Sequence, residues 1–97
     1  MSYKTIKKTV VIDKKTVKEI NKELQEQWLN ERVLFELDFD DGKIAKVNIR
    51  QGYPSYIDAE IYQGDNYLDC MEQSETILGE FIFWTDDGEY ILEIVEK

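Results

Sequence analysis

Hydrophobic and polar positions along this chain follow two different periods. Over residues 3–12 the period is two. Ile6, Val10 and Ile12 fall on one side, Thr5, Lys7 and Thr9 on the other, and Lys8 interrupts the apolar side. Such alternation predicts a half-exposed strand. Over residues 14–29 the period lengthens: Val17, Ile20, Leu24 and Trp28 recur at spacings of 3, 4 and 4, which is one stripe of an amphipathic helix. Asp13 stands where a capping residue belongs, its carboxylate able to accept from the free N–H groups of the first turn. A helix of that length is about 24 Å long and covers one face of a sheet.

From Val33 the period returns to two. Val33, Phe35, Leu37 and Phe39 alternate with Leu34, Glu36, Asp38 and Asp40, and after Asp41-Gly42 Ala45, Val47 and Ile49 alternate with Lys46, Asn48 and Arg50. A two-residue Asp41-Gly42 loop would set Leu37 against Lys46 and put charge on the core face. A type I turn with Gly42 in a left-handed bulge pairs Leu37 with Ala45, Phe35 with Val47, Val33 with Ile49, and Glu36 with Lys46. The second register satisfies every position and is the one expected. Ile57, Ala59 and Ile61 then alternate with Tyr56, Asp58, Glu60 and Tyr62, and a turn at 63–66 leads into another strand.

Residues 79–85 and 89–96 form a last hairpin around Asp86-Asp87-Gly88. Its pattern differs from the rest. Phe81 and Phe83 lie on one face, Ile82 and Trp84 on the other; the returning strand puts Tyr90, Leu92 and Ile94 on one side and Ile91 and Val95 on the other. Both faces are apolar, and one helix covers only one. A homodimer is one way to cover the second face, with Phe81, Phe83, Ile91 and Val95 as its expected surface.

The expected fold is therefore α+β. It has one strand, one N-terminal amphipathic helix, and an antiparallel meander of about six strands curving around that helix, as a single domain over residues 1–97. This order of elements is similar to that of cystatin-like and related helix-grip folds. The resemblance lies in element order alone, with no shared motif, so it carries over no functional residue.

Composition narrows the function. The chain has 97 residues, 21 acidic against 12 basic, a net charge of −9, no His and one Cys. His-based catalysis, Cys-rich zinc sites and an intrachain disulfide are excluded. With 12% aromatic residues it is no disordered acidic tail. Residues 1–30 carry a net +3 and residues 31–97 a net −12. Such a chain repels nucleic-acid phosphates and suits a basic or neutral protein partner. No apolar run reaches membrane-spanning length, and the three-residue run Val10–Ile12 is too short for a secretory signal core. A cytoplasmic location is expected.

Three functions compete on this basis. The first is a non-catalytic binding module, an inhibitor, immunity-type protein or phage-encoded antagonist, acting through a sheet surface at Tyr53, Tyr56, Asp58, Glu60, Tyr62 and Tyr67. Aromatic anchors among carboxylates suit that role. The second is a small-ligand pocket between helix and sheet, lined by Trp28, Phe35 and Phe83. The third is an enzyme using Asp58 and Glu60, which share a strand face, as an acid–base pair. No cofactor or metal is expected: Asp40-Asp41-Gly42 and Asp86-Asp87-Gly88 are turn chemistry, since neither has the spacing of a calcium loop.

Overall fold

The computed structural model describes residues 3–97. The elements run β1 (Lys4–Ile12), α1 (Lys14–Glu23), β2 (Arg32–Asp38), β3 (Lys43–Arg50), β4 (Tyr56–Gln63), β5 (Asn66–Gln73), β6 (Gly79–Thr85) and β7 (Gly88–Glu96). A strand, a helix and then antiparallel strands give the α+β class. The strands do not form one meander. β2, β3, β4 and β5 make a four-stranded antiparallel sheet in that order, while β6 and β7 form a hairpin whose outer partner is β1, running parallel to β7.

The helix starts where the sequence places it. Asp13 Oδ1 accepts from the Thr16 N–H at 2.7 Å, and Val17, Ile20 and Leu24 are buried. It ends earlier than residue 29. The amides of Gln25 and Glu26 bond three residues back, to Lys22 and Glu23, at 3.1 and 3.0 Å, the tight geometry in which helices terminate. Arg32 then clamps Glu23 through two guanidinium nitrogens at 2.5 and 2.9 Å, turning the chain back toward β2. Trp28 accordingly leaves the apolar stripe. Leu29, one step off the stripe, is buried in its place.

The β2–β3 hairpin keeps the expected register at Leu37–Ala45, Glu36–Lys46 and Phe35–Val47. Gly42 has φ +95°, and Asp40 also enters the left-handed region at φ +69°. One pair differs. A bulge between Val33 and Phe35 sets Val33 against Asn48 and Arg32 against Ile49, so Val33 points outward while Leu34 and Phe35 pack on the core.

One apolar cluster joins all the layers: Val17 and Ile20 of α1 with Leu24 at its C-cap, Ala45, Val47 and Ile49 of β3, Ile57, Ala59 and Ile61 of β4, and Phe81, Phe83, Tyr90, Leu92 and Ile94 of the last hairpin. The two sheets are tied along both flanks. On one, Lys4 and the Tyr90 hydroxyl converge on Asp41, Lys8 pairs with Asp40, and the buried Lys43 ammonium reaches Asp87 at 3.0 Å over the Tyr90 ring. On the other, side chains of β5 satisfy the free edge of β6: Asp69 accepts from the Trp84 N–H at 2.8 Å and Met71 sulfur from the Ile82 N–H at 3.3 Å. Bulky sheet edges left bare invite pairing with other chains; here a neighbouring strand's side chains occupy the donors.

Candidate functional site: an aromatic cleft between two loops

The end of the molecule beyond α1 is built from the connection 24–31 and the β3–β4 loop 51–55. Buried Leu24 and Leu29 anchor the first. Glu31 links the two, its Oε2 accepting from the Gln51 N–H at 3.0 Å. In the second loop Ser55 is buried, and its hydroxyl takes the Gly52 N–H at 3.5 Å. A side chain at position 52 would begin 2.8 Å from the Pro54 carbonyl and 3.0 Å from the Tyr56 ring, so glycine is required there by close packing. The Tyr53–Pro54 peptide is cis. A third segment joins them because Asn21 of α1 accepts from the Ile77 N–H at 2.9 Å, which holds the 74–78 connection beside the helix.

Between these segments lies an open cleft of about 950 Å³, with Leu24, Pro54 and Ser55 among its lining and Tyr53, Glu26 and Glu75 around it. A neighbouring depression of about 510 Å³ is lined by Trp28 and Tyr53, with Gln27, Glu31, Gln51 and Gly52. Tyr53 is 98% exposed and Trp28 75%, the highest values among the large hydrophobic side chains described. Every charged residue lining the two hollows is a carboxylate: Glu26, Glu31 and Glu75. Tyr53 was legible as a surface residue from sequence. Trp28 was not, because its spacing from Leu24 places it on the helical stripe.

The other residues expected at a binding surface lie elsewhere. Tyr56, Asp58, Glu60 and Tyr62 share the outer face of β4, and Tyr67 joins them from β5, edge-on to Tyr62 with ring centres 5.9 Å apart. This face is a connected polar network. Arg50 reaches Asp58 at 3.4 Å and Glu60 at 3.2 Å; Asn48, 3% exposed, donates to Glu60 at 2.9 Å, as does the Tyr62 hydroxyl at 3.1 Å. Burial, reinforced by the Glu60 charge, pushes the Asp58 carboxyl above its usual range against the pull of Arg50. Its Oδ1 is buried without a hydrogen-bond partner among the described residues. Burial and Glu60 likewise raise Tyr62.

Two expected groupings are corrected. Trp28, Phe35 and Phe83 do not line a common pocket: Phe83 is fully buried in the core, Phe35 packs on its margin and Trp28 stands in solvent. Nor do Phe81, Phe83, Ile91 and Val95 share a surface. The hairpin register pairs Phe81 with Leu92 and Phe83 with Tyr90 on the buried side, and Ile82 with Ile91 on the outer side. The outer face of this sheet carries instead Ile82, Trp84, Ile91, Val95 and Val11, interspersed with Thr5, Thr9, Glu89 and Glu93 and crossed by Lys7 paired with Glu80 at 3.1 Å.

Among the described residues no group of three His, Cys, Asp or Glu side chains could hold a metal ion, and no helix is long and apolar enough to cross a membrane. Compared with protein-family models, characterised proteins and solved structures, the chain shows no match.

Proposed function

We propose that this chain is a small, acidic, non-catalytic binding module that occludes a basic surface of a larger protein. In this reading the two sheets grip α1 together, and the loops beyond the helix form the contact end. The observation that supports it is the exposure of Trp28 and Tyr53, from separate loops, around one hollow whose single charged lining residue is Glu31. Trp and Tyr dominate binding energy at protein interfaces, and a net charge of −9 would speed and orient encounter with a basic target. Tyr56, whose ring lies against Gly52, continues this surface toward Asp58, Glu60, Tyr62 and Tyr67.

The test is capture from the source cell with the wild-type chain and with the Trp28→Ala/Tyr53→Ala double variant in parallel, followed by calorimetry on the protein that only the wild type retains. The expected partner is basic at its contact surface, and its affinity falls steeply between low and physiological salt. Salt-independent binding that survives the double substitution would overturn the reading.

A second partner has its own observation. Trp84 and Val11 are 59% and 58% exposed at opposite ends of the outer face of the β1–β7–β6 sheet, and no element among the described residues covers them. A second copy of this chain is the cover we propose for that face.

A further inference from the structure

We infer that the depression between Trp28 and Tyr53 receives a single arginine side chain from the partner. This inference rests on the binding-module reading above and specifies the chemistry of its contact. Three features carry it. First, two aromatic side chains on separate loops, Trp28 and Tyr53, are among the lining residues, and both are open to solvent. A planar cation stacks on such faces, and guanidinium does so more readily than ammonium because it is flat and weakly hydrated. Second, the one charged residue of this depression is Glu31. Its Oε2 is engaged by the Gln51 N–H, which fixes the carboxylate in place and leaves Oε1 to accept from an entering N–H. Third, the remaining lining is Gln27, Gln51 and Gly52. Their amide oxygens can accept the further N–H groups that a guanidinium carries and a simple apolar group lacks. None of the chain's own twelve Lys and Arg residues lines this depression or the adjoining cleft, so Glu31 is the one charge an entering cation would meet in its lining.

The experiment uses the full chain, ¹⁵N-labelled, titrated with a blocked tripeptide Gly-Arg-Gly and with the same peptide carrying citrulline. Citrulline keeps the shape and loses the charge. The expected result is saturable shifts at the Trp28 indole N–H and at the Gly52 and Tyr53 amides. Trp84→Phe identifies the indole signal. The citrulline peptide should bind roughly two- to thirtyfold more weakly, the range that cation–π energies convert to. Trp28→Ala and Tyr53→Ala should each abolish the localised shifts while the rest of the spectrum stays dispersed. Equal responses to both peptides, or arginine-dependent shifts scattered over the acidic sheet face, would overturn the inference. Its failure is separable from failure of the broader reading. If the arginine peptide does not localise but the captured partner still depends on Trp28 and Tyr53, the module stands and the arginine falls.

Discussion

At the residue scale, two aspartates work in opposite directions. Asp41 lies between the two sheets. Burial acts to raise its carboxyl, but the Lys4 ammonium, the Tyr90 hydroxyl and the Lys43 N–H outweigh that and hold it down to about 2. A carboxyl whose folded value is depressed adds stability above its unfolded value near 4, lost as pH falls through the folded one. Asp41→Asn is therefore expected to destabilise the chain by about 1–2 kcal/mol at pH 7, with the difference shrinking between pH 4 and pH 2; urea melts at those pH values measure it. Asp58 is raised, so its ionised form is held at a loss. That loss is absent below the unfolded value and grows as pH rises through the folded one. Asp58→Asn should raise the melting temperature at pH 7 and leave it unchanged below pH 4. A fall at pH 7 would mean that the Arg50 pair outweighs burial.

At the element scale, the alternating segments were legible because strand periodicity and burial coincide: Ala45, Val47 and Ile49 of β3 and Ile57, Ala59 and Ile61 of β4 are all fully buried. The Asp41-Gly42 register could be chosen because only one pairing kept Lys46 off the core. Three features were not legible. The parallel pairing of β1 with β7 joins the two ends of the chain, and nothing local encodes it. The helix end depends on an ion pair between Glu23 and Arg32 across the connection. The cleft depends on loops brought together by Glu31 and Asn21, contacts that spacing along the chain does not express. Gly88 shows the same point. Its sequence setting resembles that of Gly42, yet it has no positive φ; a Cβ there would lie 2.6 Å from the Lys4 carbonyl of the parallel partner. Gly88→Ala is expected to loosen β1. Hydrogen exchange should then quicken at β1 amides while the β2–β5 sheet stays protected. Unchanged protection of β1 would contradict the close approach.

At the scale of the whole molecule, the fold covers one face of each sheet and leaves the other faces to differ. The outer face of the four-stranded sheet carries a polar network with Asp58 Oδ1 left unpaired among the described residues. That of the three-stranded sheet carries Trp84 and Val11 into solvent. Light scattering at high micromolar concentration is expected to give a mass above the 11.5 kDa of one chain, and Trp84→Glu to return it to 11.5 kDa with the fold intact. A wild-type monomer would remove the second copy, and an unfolded Trp84→Glu would show that the face is covered from within.

The claim on which the functional account stands is that Trp28 and Tyr53 are contact residues and take no part in the core. The melting temperature of the Trp28→Ala/Tyr53→Ala double variant tests it without any knowledge of the partner. Surface substitutions of this kind change stability by less than about 0.5 kcal/mol, whereas emptying a buried Trp site costs about 3–5 kcal/mol. In a domain of this size the second figure is a fall of more than about 12 °C. The account predicts a melting temperature within about 4 °C of wild type. A fall of the larger size would place Trp28 on the helical stripe that its spacing suggests, and the cleft would not exist.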